Sequence, residues 1–158
     1  MIFKFLFAFV FILFFYNNLF AAELINGNTK IIDGDTLHIG KYKIRLHGID
    51  APELNQNCNY KNKDWECGQQ SKKYLIQLID SNAVNCQVIG IDRYKWYIGI
   101  CYVNKLNINK MLVKNGWAIA YRYYSKAYTD EEFIAKKMKI GIWKGKFEEP
   151  YIFRKKNK

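Results

Sequence analysis

The chain reads as a small α+β domain in which β-structure dominates and helices are interspersed. Three observations predict this. Two stretches of apolar and polar alternation, each folded back on itself at a short turn, have the period of antiparallel hairpins. Later segments repeat apolar residues at helical spacing. No linker or internal repeat divides the 158 residues, half of which are apolar, so they suffice for one core.

The elements follow in order. Residues 29–48 form a hairpin: Leu37 and Ile39 alternate with Thr36 and His38, and Gly40-Lys41 supplies a two-residue turn. Tyr42, Ile44 and Leu46 continue the apolar face, with Lys43, Arg45 and His47 on the polar one. This register pairs Thr36 with Arg45 and Asp35 with Leu46. Gly48-Ile49-Asp50-Ala51-Pro52-Glu53 ends the strand, because Pro52 lacks an N–H and turns Ala51 away from helix. The polar residues 54–67 read as an irregular loop. Gln69 to Asp80 reads as a helix that buries Tyr74, Leu75, Leu78 and Ile79. A second hairpin, centred on Asp92-Arg93-Tyr94-Lys95, joins the alternation around Val84-Cys86-Val88 to a strand over Tyr97 to Val103. Asn107 or Asn109 caps a short helix that stops at Gly116. Residues 117–124 give a short strand and an aromatic loop. Thr129-Asp130-Glu131-Glu132 has capping-box spacing, which predicts a last helix lined by Phe133, Ile134, Met138 and Ile140. Gly141 is its C-cap, and Trp143 packs back on the core. Arg154 to Lys158 reads as a mobile, solvated basic tail.

The N-terminus has the design of an export signal. Lys4 precedes an apolar run from Phe5 to Phe15, Asn17-Asn18 break it, and Ala21-Ala22 offer small residues for cleavage. Leu19 or Phe20 fits the outer small-residue position poorly, so an uncleaved membrane anchor is the alternative. The expected divisions are a signal or anchor over 1–22, a folded domain over 23–150 and a tail over 151–158. Export to the periplasm or medium suits Cys58, Cys67, Cys86 and Cys101, since oxidising compartments permit disulfides. Four cysteines allow three connectivities. The second hairpin sets Cys86 directly opposite Cys101, close enough to bridge, and leaves Cys58 and Cys67 to close a local loop. Zinc is the rival reading, and it lacks a Cys-x-x-Cys spacing.

The composition excludes a disordered chain. The formal net charge of +11 favours an anionic partner: nucleic acid, an acidic polymer or a membrane surface. Two segments concentrate chemistry, Asp33-Gly34-Asp35-Thr36 and Arg45 with Asp50-Ala51-Pro52-Glu53. The hairpin crowds Asp33, Asp35, Asp50 and Glu53 at one end. Carboxylates gathered this way repel one another unless solvated or neutralised by a cation, and hard cations such as Ca²⁺ take carboxylate and carbonyl oxygens. A carboxylate there can deprotonate water, and an arginine fork can clamp a phosphate. Together these are the parts of phosphodiester hydrolysis; a solvated surface turn is the bland alternative.

Asp33-Gly34-Asp35-Thr36 followed by Arg45-Leu46, Ile49-Asp50 and Pro52-Glu53 resembles the first signature of staphylococcal-nuclease-like proteins. The resemblance runs on through Asp92-Arg93-Tyr94, Asn109, Leu112-Val113 and Gly116-Trp117-Ala118 to Gly141-Ile142-Trp143, covering residues 28–145. It implies an OB-fold, a five-stranded barrel with about three helices. It also implies Ca²⁺ as cofactor, with Mg²⁺ and Mn²⁺ as alternatives. Asp35, Asp50 and the carbonyl of Ala51 match metal ligands, Glu53 matches the general base and Arg45 matches the first phosphate-binding arginine. Asp33 and Thr36 match supporting positions, and Arg93, Tyr94, Lys95, Tyr121 and Tyr124 fall near the nucleotide. The implied substrates are DNA and RNA, single-stranded or denatured, cut to 3′-phosphates. A monomer with no obligate protein partner is expected. One departure stands out: Trp96 occupies the place of the second catalytic arginine. Lys95 is an imperfect substitute, one residue away on a strand, and Arg93 or Arg122 are the candidates to reach in from loops. A binding module for nucleic acid or another polyanion is therefore the second reading, and an exported structural protein the third.

Overall fold

The computed structural model describes residues 23–157. The signal or anchor expected over 1–22 lies outside the described residues, as does Lys158. The strands are β1 (Leu24–Gly27), β2 (Thr29–Ile31), β3 (Thr36–Ile39), β4 (Tyr42–Leu46), β5 (Ile49–Asp50), β6 (Cys58–Tyr60), β7 (Lys63–Trp65), β8 (Val84–Ile91), β9 (Tyr97–Val103), β10 (Leu106–Asn107) and β11 (Ile119–Ala120). The helices are α1 (Cys67–Ile79), α2 (Ile108–Lys114), α3 (Thr129–Met138) and α4 (Pro150–Lys156), with a 3-10 turn at Gly141–Lys144 before α4.

The main sheet runs β1-β8-β9-β4-β3-β2, with β10 beside β9. It curls into a nearly closed barrel, the OB-like α+β architecture expected from the sequence. The β3–β4 register pairs Thr36 with Arg45 and Leu37 with Ile44, as the alternation requires. Closure comes from β4 meeting β9 in parallel, Arg45 opposite Ile98 and Leu46 opposite Gly99. That contact carries the turn of the second hairpin to the end of the first, where the acidic residues gather. Leu37, Ile44, Leu46 and Val84 fill the barrel, and Leu75, Ile108 and Leu112 bring α1 and α2 onto it. Asn109, fully buried, knits the layers: its Nδ2 donates to the carbonyls of His47 and Gly99, and its Oδ1 accepts from the Cys101 N–H.

Both disulfides form as the register implies. Cys86 pairs with Cys101 across β8 and β9, and Cys58 pairs with Cys67. No cysteine is left free, which removes the zinc alternative.

Four expectations need correction. Residues 54–67 are not wholly irregular, because β6 and β7 make a small hairpin whose Asn59 also bridges to Lys146. The capping box at Thr129 does not form: the N-cap is Tyr128, and the Thr129 hydroxyl donates to the Lys126 carbonyl instead. The buried face of α3 is Glu132 and Ala135, while Phe133, Ile134 and Met138 are exposed. Glu132 tolerates burial because its carboxylate accepts from the Ala120 N–H, Arg122 and Lys136. Finally, the basic end is not a free tail through its length. Pro150 starts α4 at a position where a missing N–H costs nothing.

Candidate active site

The end of the first hairpin is shaped by tight local bonding. The Asp33 carboxylate accepts the Asp35 N–H at 3.0 Å, an Asx turn that lifts Asp35 off the strand end. Gly34 is required there, since a methyl group would run into the Ser71 hydroxyl and the Ala51 side chain. Asp35 then reaches across to the β5 segment, where its Oδ2 accepts the Ala51 N–H at 2.8 Å. Its Oδ1 accepts the hydroxyl of Thr36, itself buried, at 3.1 Å. The bend takes Asp35 out of the strict alternation that would have pointed it at the apolar face.

Asp50 is 3% exposed, and its Oδ2 is buried with no hydrogen-bond partner. Its Oδ1 accepts from Arg154 Nη1 at 2.7 Å, and the same nitrogen donates to Glu53 Oε1 at 2.7 Å. Burial pushes the Asp35 carboxyl well above its ordinary range; the charges of Asp33 and Asp50 add to this, and the Ala51 N–H and Arg45 only partly offset it. Burial raises Asp50 too, against the hydrogen bond and charge of Arg154, while the Glu53 charge pushes it further up. For Arg154, burial opposes the charge, but hydrogen bonding and attraction to Asp50 and Glu53 win and hold the guanidinium above its usual value.

Glu53 sits on a segment clamped from behind. The Glu53 N–H donates to Gln56 Oε1, and the Gln56 N–H returns to the Glu53 carbonyl at 2.8 Å. Gln56 is fully buried, and its Nε2 donates to the Glu148 carbonyl at 2.7 Å. Gly68, in the first turn of α1, packs so closely that any Cβ would overlap the Glu53 carbonyl oxygen. The Cys58–Cys67 bridge closes the chain between these contacts.

Asp33, Asp35, Arg45, Asp50 and Glu53 all line one cleft of about 710 Å³, together with Arg154. Arg45 lies on its wall, in an ion pair with Asp92 at 3.5 Å and with its guanidinium over the Trp96 ring at 5.3 Å. Arg93, Tyr94, Tyr121 and Tyr124 border the same cleft, as do Tyr151 and His47. Burial lowers the pKa of the His47 imidazole. Lys95 does not join them: it is exposed at the tip of the β8–β9 turn in a left-handed conformation, φ 61°. Arg122 is held by Glu132 at 2.5 Å. Arg154 is the residue that sequence reasoning missed. Pro150 after Glu148-Glu149 was the available signal, because it marks a helix start and so an ordered end.

Could these residues hold a cation? Among the described residues no three His, Cys, Asp or Glu side chains make a cation cage by themselves. What exists is a pair of carboxylates, Asp35 and Asp50, beside the Ala51 main chain. One buried carboxylate oxygen is unpartnered and an arginine supplies the only positive charge bonded to Asp50 among the described residues. Two carboxylates, a carbonyl and water form an oxygen shell of the kind hard divalent ions accept. The donor chemistry fits.

Comparison with known proteins gives a consistent picture. A family model described as "Staphylococcal nuclease homologue" matches residues 43–145, from Lys43 in β4 to the end of the 3-10 turn. The chain is 33% identical to "Succinoglycan biosynthesis protein ExoI" of Rhizobium meliloti, over 81% of this chain and 69% of that protein. It is 38% identical to an "Uncharacterized endonuclease" of Haemophilus influenzae, over 72% of this chain and 63% of the relative. It is 33% identical to "Probable staphylococcal-like nuclease CAN3" of Oryza sativa, over 85% of this chain and only 34% of the rice protein.

Proposed function

The chain belongs to the staphylococcal nuclease homologues, and on that premise we propose that it is a metal-dependent endonuclease hydrolysing phosphodiester bonds of DNA and RNA with low sequence specificity. The observation that carries this reading is the convergence of Asp35, Asp50, Glu53 and Arg45 on one cleft. A bound divalent cation supplies Lewis-acid polarisation of a phosphoryl oxygen, and Asp35, Asp50 and the Ala51 carbonyl are the groups that would hold it. Ca²⁺ is the first choice for such oxygen donors, with Mg²⁺ and Mn²⁺ as alternatives.

Glu53 takes a proton from the attacking water, and its fixed backbone sets the direction of attack. Arg45 binds the scissile phosphate; Asp92 and Trp96 hold its guanidinium in place. Tyr121 and Tyr124 offer ring faces on which unpaired bases stack, which favours single-stranded or denatured substrate. The apolar run after Lys4 and the two disulfides support work outside the cytoplasm, in the periplasm or the medium.

Cleavage of heat-denatured DNA by the oxidised protein, with Ca²⁺ and then with chelator, tests the proposal. Glu53→Ser should lower the rate by roughly 10²–10⁴. A mutant as fast as wild type removes Glu53 from its role. A second reading rests on Trp96, which cannot donate to a phosphate from its ring face: a module that binds nucleic acid without cutting it. Salt-dependent binding with no metal-dependent cleavage would favour that reading.

A further inference from the structure

We propose that Arg154, presented by α4, is the second phosphate-binding arginine of this site, supplying from the end of the chain what position 96 cannot. The inference rests on the nuclease reading for its chemistry and on four observations for its placement.

First, Trp96 has changed the job of its position. Its ring carries the cations of Lys43 and Arg45 at 5.5 and 5.3 Å, so it braces the first arginine and offers no fork of donors. Second, the chain has four arginines, and of the other two Arg93 borders the cleft without touching its carboxylates and Arg122 lies outside it. Arg93 lies over Tyr94 at 5.2 Å, and Arg122 is bonded to Glu132. Arg154 is the one whose guanidinium touches the carboxylates of Asp50 and Glu53. Third, α4 is held by contacts other than this ion pair. Pro150 is buried, Tyr151 lies against Tyr121 at 6.3 Å, and Glu148 receives both Gln56 Nε2 and Lys156. Gln56 is the same side chain that clamps the Glu53 backbone, so one buried amide fixes the base and the approach to α4 together. Fourth, the Arg154 side chain is 36% exposed and lines the cleft, within reach of an incoming anion.

Charge explains how one arginine serves both arrangements. Arg154 Nη1 is shared by two carboxylates and neutralises part of their repulsion. Asp35 and Asp50 would hold a divalent ion that would do this more strongly, which would leave the planar fork of Arg154 matched to the substrate phosphate. Arg154 thus sits between the proposed cation ligands and the proposed base, touching Asp50 and Glu53 with one nitrogen.

The test uses the oxidised protein and Arg154→Gln, Arg154→Lys, Trp96→Arg and the Trp96→Arg/Arg154→Gln pair. Binding of a short single-stranded DNA is measured by anisotropy in Ca²⁺ in a Glu53→Gln background, so that nothing is cut. Arg154→Gln should weaken binding about tenfold and reduce the salt slope by about 0.7, the share of one phosphate contact on a single strand. Arg154→Lys should keep the slope. In single-turnover cleavage with Glu53 intact, Arg154→Gln should lose roughly 10²–10³ in rate. Arg154→Lys should recover only part of it, and Trp96→Arg should restore at least tenfold to the Arg154→Gln protein. An unchanged affinity and slope in Arg154→Gln overturns the proposal, whether or not the protein cleaves DNA. If Arg154→Gln does not fold, Arg154→Lys decides: cleavage equal to wild type overturns the fork requirement. A wild-type protein that never cleaves, yet loses the phosphate contact in Arg154→Gln, sinks the nuclease reading and keeps this one.

Discussion

Asp35 is well bonded and still costly. It accepts two hydrogen bonds, yet burial and the neighbouring Asp33 and Asp50 charges raise its pKa above the ordinary carboxylate value. A folded-state pKa above the unfolded one means that folding is favoured when the group is protonated. That contribution is complete below the unfolded pKa and is lost as pH rises through the folded one. In chelator at neutral pH, Asp35→Asn should therefore melt higher than wild type, and the advantage should shrink as pH falls and vanish below about 4. Thermal scans from pH 7 to pH 3.5 check this; an advantage that grows on acidification would mean the shift has the other sign. Glu132 is the opposite case. Burial would raise it, but Arg122 and Lys136 overcome burial and lower its pKa. Glu132→Ala should cost about 1–3 kcal/mol by denaturant titration, because it strips the Ala120 N–H of its acceptor. The Asp and Arg constellation was legible because those residue types are rarely gathered without chemical cause. Glu132 was not, because a buried glutamate looks identical in sequence to a capping one.

The two disulfides divide the work between elements. Cys86–Cys101 closes 15 residues inside the barrel wall, and Cys58–Cys67 closes 9 residues beside the Glu53 segment. Chain-entropy reasoning gives about 3 kcal/mol for the first and about 2.5 kcal/mol for the second. Activity should not follow that order. Serine at Cys58 and Cys67 is expected to lower kcat several-fold with a modest fall in Tm, because it loosens the clamp behind Glu53. Serine at Cys86 and Cys101 should lower Tm at least as much and leave kcat nearer wild type. Equal kcat values in the two variants would separate the bridge from the site. Both pairings could be read from one hairpin register. The β6–β7 hairpin could not, because its strands have three residues each and polar faces, too short for an alternation to emerge. For α3, the exposed Phe133, Ile134 and Met138 misled the helical pattern, since a salt-bridged glutamate took the buried face.

Across the whole molecule, charge and shape act together. The sequence carries +11, while the cleft concentrates carboxylates, so long-range attraction draws a polyanion to a surface whose centre needs a cation to receive it. Binding of single-stranded DNA should fall steeply between 50 and 200 mM salt in Ca²⁺, and more steeply than in chelator; equal slopes would show that the cleft takes no part. The barrel was legible because alternation, turn and register agree along the first half. Its closure by the parallel β4–β9 pair and the docking of α4 were not, because both join distant residues through contacts that leave no local period. One such contact has a consequence for descent. Gly68 begins a helix, where many residues would serve, yet its hydrogen atoms lie against the Glu53 carbonyl. Inheritance at this codon is governed by the neighbour and not by helix propensity: a lineage can vary the exposed face of α1 freely, but a replacement at 68 must be answered by movement of Glu53 itself. Drift in a scaffold helix is thereby filtered through the proposed catalytic segment, and a library randomised at position 68 should return glycine alone.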